Sequence, residues 1–265
     1  MAQTRTQPTR FEDVKNLPGA LPDHFVKGVD VSHHNGNVDW AVLSAAGVEF
    51  AFVKVTEGIN TPDPMAQTHA LGARQAGLKI GYYHFCRPSP QSGRAAIVAD
   101  AKAEAMDFKL ALRNLPKPDL PPVLDLEADG AAVPAAPTDF LAWVQTFAGE
   151  LFDPAGVLLF PILYSRAEYL ARRLPSNHNL GSICKLWLSR YTADYRQAQP
   201  AGGWTDWSIW QFTEAGGLLP TGPLDLNLWR RAEYTDLLQL HRMLAEIRPA
   251  KTSVEELLHA AMGNG

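Results

Sequence analysis

Five times in succession the chain passes from a short, apolar, β-rich segment to a helix-forming one. A strand that leads into a helix returns to its own sheet most readily as a parallel neighbour, with the helix packed outside. The β-rich segments are Phe25–Ser32, Glu49–Val55, Leu78–Phe85, the stretch from Pro121 to Glu127, and Val157–Tyr164. Three more follow with little helix between them: Leu186–Tyr191, Asp206–Phe212 and Leu224–Trp229. Gly216-Gly217 and the Pro220–Pro223 region read as a tight excursion before the last of these. About eight strands in one domain predict closure, so the expected fold class is α/β, an irregular (β/α) barrel with fewer outer helices than the regular form. An open doubly wound sheet is the alternative, but the chain has no Gly-x-Gly-x-x-Gly turn and no P-loop to support it.

The helices are predicted through Trp40, Val42 and Leu43 with Asn37 as N-cap, over Met65–Ala76, over Ala95–Leu112, from Thr138 through Phe147, and over Arg166–Leu174. From Ala232 an amphipathic helix carries Leu237, Leu238, Leu240 and Leu244, and a second, short one lies near Leu257. The expected organisation is an N-terminal arm over 1–24, flexible or loosely docked, a barrel over 25–230 and a helical extension over 231–265 packed on it. A chain of 265 residues is ample for one such domain.

With a formal net charge of −4 there is no polybasic footprint for nucleic acid or anionic lipid. No apolar run approaches the ~20 residues of a membrane span, and the polar, proline-containing start lacks the apolar core of a secretory signal. Synthesis in the cytoplasm without a Sec signal is therefore expected. Cys86 and Cys184 stand beside predicted strands and read as buried free thiols, with one bridge left open. No metal or cofactor is expected: His33 and His34 are adjacent and diverge, and no His-x-x-x-His or Cys-x-x-Cys spacing occurs. His84 reads as a hydrogen-bonded structural residue.

The chemistry concentrates in Pro121-Pro122-Val123-Leu124-Asp125-Leu126-Glu127. Side chains on a strand alternate, so Asp125 and Glu127 share one face while Leu124 and Leu126 take the other. Two neighbouring carboxylates repel each other and resist burial, a cost that separates their pKa values and suits acid–base work. In a barrel the site lies at the C-terminal strand ends. There the sequence offers Asp30, Lys54 and Glu57, Tyr83 and His84, Tyr164, Trp187 and Tyr191, Trp210 and Gln211, and Asp225 and Asn227. Carboxyls ringed by aromatic faces make a sugar-cleaving site, whereas each aromatic taken singly reads as barrel packing.

Gly28-Val29-Asp30-Val31-Ser32-His33-His34, Phe52-Val53-Lys54-Val55-Thr56-Glu57-Gly58, Gly81-Tyr82-Tyr83-His84-Phe85, Asp125-Leu126-Glu127, Leu186-Trp187-Leu188-Ser189-Arg190-Tyr191, Trp210-Gln211-Phe212 and Leu224-Asp225-Leu226-Asn227 occur in that order. This ordered set resembles the glycoside hydrolase family 25 lysozymes, the Chalaropsis-type N-acetylmuramidases, from about Gly28 to Trp229. The resemblance implies cleavage of the β-1,4 bond between N-acetylmuramic acid and N-acetylglucosamine in peptidoglycan. It implies Glu127 as general acid/base and Asp125 as its partner, with Asp30 and Asp225 as two further acids flanking the groove. Tyr83, Tyr164, Trp187 and Gln211 fall where the family lines its substrate groove. Ser189 departs from a common alanine, an exchange expected to be tolerated. Retaining hydrolysis is expected, either by attack of the substrate's own N-acetyl group or by direct attack of Asp125.

Two other readings remain at this stage: a catalytically dead, glycan-binding barrel, and a chitinase-like hydrolase. The second needs Asp-x-x-Asp-x-Asp-x-Glu, and here Val123 stands at one of the earlier acids. Two settings would bring such an enzyme to the wall without a signal: phage lysis, or a contact-dependent secretion machine. The latter implies delivery machinery and an immunity or inhibitor protein that plugs the groove.

Overall fold

The computed structural model describes residues 7–21, 23–90, 93–128, 134, 136–151, 161–240 and 243. Eight strands close into one barrel in sequence order. They are β1 (Phe25–Val31), β2 (Val48–Glu57), β3 (Lys79–Phe85), β4 (Val123–Asp125), β5 (Ile162–Arg166), β6 (Lys185–Ser189), β7 (Ile209–Leu219) and β8 (Gly222–Arg230). Five α-helices lie between them: α1 (Trp40–Ala45), α2 (Ala66–Gln75), α3 (Arg94–Leu112), α4 (Pro137–Leu151) and α5 (Ala167–Arg173).

The sheet is not all parallel, as the alternation had implied. β1 to β7 pair in parallel, but β8 runs antiparallel to both β7 and β1. The reason is local. No helix separates β7 from β8, so the chain turns straight back as a hairpin. Gly216 and Gly217 do not break the strand. A Cβ on Gly216 would lie 2.5 Å from Leu226 Cγ and 2.6 Å from the Leu224 carbonyl oxygen, so the missing side chain lets β8 pass close by.

Alternation along the strands sorts the core. Val29, Val31, Ala51, Val53, Leu124, Leu163, Leu186, Leu188, Leu226 and Leu228 face outward into the layer beneath the helices. Val26, Phe50, Phe52, Val123, Ile162, Trp187, Ile209 and Trp229 fill the barrel interior. Gly28 makes room there, since a Cβ on it would overlap the Phe50 ring. Continuing each inward row upward, by two residues or on β1 by four, replaces these apolar groups by Asp30, Lys54, Asp125, Tyr164, Gln211 and Asn227, so the polar site sits on an aromatic plug.

Three smaller expectations are corrected. Asp39, not Asn37, caps α1, its Oδ1 accepting from the Val42 N–H at 3.1 Å. β4 ends at Asp125, leaving Glu127 just past the strand. Residues 7–21 are not loose: Phe11 is buried against Phe212, and the Gly217 N–H donates to the Thr9 carbonyl at 2.8 Å. Residues 231–240 are helical, with Tyr234 closing the barrel bottom on Phe50 and Trp229. Leu244 and the short helix expected near Leu257 fall outside the described residues, as does most of the segment expected to begin β5. Cys86 and Cys184 are free and buried.

Candidate active site

The strand ends enclose a cleft of about 340 Å³. Asp30, Asp125, Glu127 and Asp225 line it together with Tyr83, Tyr164 and Trp187. Gln211 is placed differently. Only 1% exposed, it lies beneath the cleft floor rather than on its wall. It belongs to a buried polar row that crosses the barrel. Tyr164 Oη donates to Gln211 Oε1 at 2.7 Å, and Gln211 Nε2 donates to Asp30 Oδ2 at 3.0 Å. Asn227 Nδ2 donates to the same Asp30 oxygen at 2.7 Å, while its Oδ1 accepts from Trp187 Nε1 at 2.8 Å. Ser189 Oγ joins at Gln211 Oε1, 3.3 Å away. The two amides thereby fix the Asp30 carboxyl from below and the Tyr164 and Trp187 rings from the side.

Asp30 and Asp225 are directly opposite in the β1–β8 register. Burial raises the pKa of Asp30, against the pull of the hydrogen bonds from Asn227 and Gln211. Burial also raises Asp225, and the charge of Asp30 and the hydrogen bond between the two raise it further. Asp125 is 5% exposed. Its pKa is pushed well up, first by burial, then by the charges of Glu127 and Asp30, with Lys54 opposing. Its Oδ1 is buried with no hydrogen-bond partner among the described residues. A buried, unpaired carboxyl oxygen is costly unless a ligand supplies the missing donor.

Lys54, Glu57 and Tyr191 stand at the mouth as their strand-end positions imply, without an assigned role, and the cleft adds Arg87 and Glu214, which the sequence does not single out. All five line the cleft. Lys54 Nζ binds Glu57 Oε2 at 2.6 Å, and Arg87 binds Glu57 Oε1 through Nε and Nη2 at 2.8 and 2.6 Å. The two cations flank the Phe85 ring at 4.9 and 4.5 Å. Arg87 follows the last residue of β3 by two, a signal available in the sequence. Glu214 was hidden because β7 was expected to stop at Phe212. His84 is fully buried, held between Thr56 Oγ1 and Glu104 Oε2 at 2.8 Å each, outside the cleft. Among the described residues no group of His, Cys, Asp and Glu is arranged to hold a metal ion, and no helix is long and apolar enough to cross a membrane.

A closed α/β barrel whose mouth gathers carboxyls of unequal acidity beside Tyr and Trp faces has the architecture of a glycoside hydrolase. Residues 29–219 match glycosyl hydrolases family 25, and the chain belongs to that family. Lysozyme M1 of Streptomyces globisporus is 26% identical over 194 residues, covering 72% of this chain and 63% of that protein. The match thus spans just under two thirds of that relative's length. The N,O-diacetylmuramidase of Chalaropsis sp is 27% identical over 199 residues, 72% of this chain and 89% of that one. Among solved structures, the bacterial lysozyme from Streptomyces coelicolor superposes with a TM-score of 0.67 at 26% identity, covering 82% of this chain and 96% of the other. The family 25 lysozyme from Aspergillus fumigatus gives 0.66 at 26% identity, covering 82% and 99%. Asp225, Asn227 and the N-terminal arm lie outside the matched span.

Proposed function

We propose that the protein is a peptidoglycan hydrolase, an N-acetylmuramidase that cleaves the β-1,4 bond from N-acetylmuramic acid to N-acetylglucosamine with retention. The observation that carries this reading is the meeting of Asp30, Asp125, Glu127 and Asp225 in one aromatic-walled cleft. Glu127 sits past the strand end, at the rim, where a glycosidic oxygen would reach it, and it acts as the general acid/base. Asp125 lies deeper. Its unpartnered Oδ1 is suited to accept the N–H of the substrate's 2-acetamido group. That contact would aim the acetamido oxygen at the anomeric carbon. Attack there forms the C–O bond of an oxazolinium ion as the glycosidic C–O bond breaks, with the Glu127 proton passing to the leaving oxygen. Glu127, now a carboxylate, then takes a proton from water as the water opens the ring, which restores the acetamido group with overall retention. The proton shared by Asp30 and Asp225 keeps that wall from carrying two full charges.

Glu127→Gln tests the assignment. Wall digestion followed by reducing-end release should drop by roughly 10²–10⁴-fold, with unchanged circular dichroism. Near-normal activity would overturn it. NMR of the first product should show the β-anomer, and initial α-anomer would refute retention. Such an enzyme serves either as a phage endolysin or as an antibacterial effector, and neighbouring lysis genes or a neighbouring immunity gene separate the two.

A further inference from the structure

A second groove of about 350 Å³ adjoins the cleft and shares His34, Glu214 and Asp225 with it. Its other lining is Asn35, Leu219, Thr221, Gly222, Pro223 and Leu224, from the β7–β8 hairpin and the turn after β1. The two grooves differ in chemistry. The cleft presents Tyr83, Phe85, Tyr164, Trp187 and Tyr191, whereas no Phe, Tyr or Trp lines the second groove among the described residues and His34 is its one aromatic ring. A pyranose face finds far less there to stack on than in the cleft. What the groove offers is an aliphatic wall, backbone edges of a tight hairpin, and one carboxylate on the ridge between the two grooves.

That carboxylate, Glu214, is held in place. Gln7 Nε2 donates to Glu214 Oε1 at 3.3 Å, and Gln7 Oε1 accepts from Thr213 Oγ1 and the Glu214 N–H at 3.2 and 3.4 Å. Among the described residues no Lys or Arg pairs with Glu214. Asp225, the other acid of the groove, stands opposite Asp30 in the β1–β8 pair, whereas Glu214 is exposed and faces the groove without such a neighbour across the strands. Gln7 and residues 220–225 all lie outside the span matched by the family.

We propose that this groove is a docking site for the peptide stem of the muramyl residue, with Glu214 as the anchor for a free ammonium group on that stem. The inference rests on the peptidoglycan reading above. The groove adjoins the cleft and shares Glu214 and Asp225 with it, so a chain branching from a glycan held in the cleft has the groove within reach. Amide-rich chain, aliphatic side chains and one amine match the wall, the hairpin edge and the carboxylate.

The test uses the full chain and three glycan strands of equal length: one with stems bearing a free amine, one with that amine acetylated, and one with stems removed by an amidase. kcat/KM should fall in that order. Thr221→Lys, which adds a cation at an exposed turn position outside the cleft, should lower kcat/KM through KM on the free-amine strand by about five-fold, the scale of one partly exposed charge contact. It should leave the stem-free strand within two-fold. Equal rates on all three strands, or an equal loss on all three in Thr221→Lys, would overturn the proposal. Calorimetric affinities of Glu127→Gln for the same strands separate it from the hydrolase reading. Stem-dependent affinity without wild-type turnover would sink only that reading. Turnover with stem-independent affinity would sink only the groove.

Discussion

Asn227→Ala offers the sharpest check on how the site is held. Asn227 is fully buried and makes two hydrogen bonds, to Asp30 Oδ2 at 2.7 Å and from Trp187 Nε1 at 2.8 Å. Truncation strands the Trp187 N–H, at a cost of about 1–3 kcal/mol, and removes a bond to a charged acceptor worth about 1.5–3 kcal/mol. The sum, about 2.5–6 kcal/mol, is a large part of the roughly 5–15 kcal/mol by which a domain is stable. The two parts can be separated. In a Trp187→Phe background there is no indole N–H to strand, so Asn227→Ala should cost about 1–3 kcal/mol less than in the wild type. Urea denaturation followed by far-ultraviolet circular dichroism measures both costs without relying on the altered tryptophan. A loss below about 1 kcal/mol, or the same loss in both backgrounds, would refute the claim that this buried row fixes the acid.

Three other outcomes follow from the geometry. Asp225 rises from its ordinary 3.8 to about 10 in the fold. A raised acid pKa gives stability that is complete below the unfolded value and lost as pH climbs through the folded one, so stability should decline between about pH 4 and 10. Asp30→Asn keeps an acceptor for Gln211 and Asn227 while removing the charge beside Asp225, and should flatten that decline in urea titrations across pH; an unchanged slope would contradict the shared proton. Gly216→Ala forces β8 aside, and should cost about 1–3 kcal/mol and depress wall hydrolysis because Asp225 moves with the strand; wild-type melting and activity would argue against the tight hairpin. Phe11→Ala should cost about 3–5 kcal/mol in the same denaturation assay, since the ring is buried against Phe212, and a neutral result would mean the arm is not part of the core.

Much of this was legible because period two survives inspection by eye. Asp125 and Glu127 on one face, Leu124 and Leu126 on the other, required no tertiary knowledge, and Leu124 and Leu126 do pack outward. Phe50, Phe52 and Lys54 form a similar row, apolar below and polar at the top. What could not be read were terms set by contact between distant segments. Gln211 looks like a groove residue from its strand-end position, and only the crossing of β1, β5 and β8 shows it beneath the floor. Gly216-Gly217 looks like a break because glycine weakens a strand in isolation. The close approach of Leu224 and Leu226 turns it into a requirement. Phe11 lies in a polar, proline-containing arm, and nothing local says that its ring enters the core.

The reversal of β8 is what makes the acid pair. In a barrel with every strand parallel, a residue near the start of the last strand would lie at the bottom, with the apolar plug. Asp225 is the fourth residue of β8, yet it stands opposite Asp30, the sixth residue of β1. Both therefore reach the same mouth, and each can hold the other's charge in check. The rule that strand C-termini carry the chemistry pointed to Asp225 for the wrong direction of travel. The residue arrives there because a helix-free connection sends β8 back down. The same hairpin that delivers Asp225 also raises Glu214 and walls the adjoining groove. The length of one turn, at residues 220–221, thus governs both where Asp225 meets Asp30 and the shape of the adjoining groove. Lengthening that turn should disturb both together, whereas changes in α1 to α5 should affect the site only through overall stability.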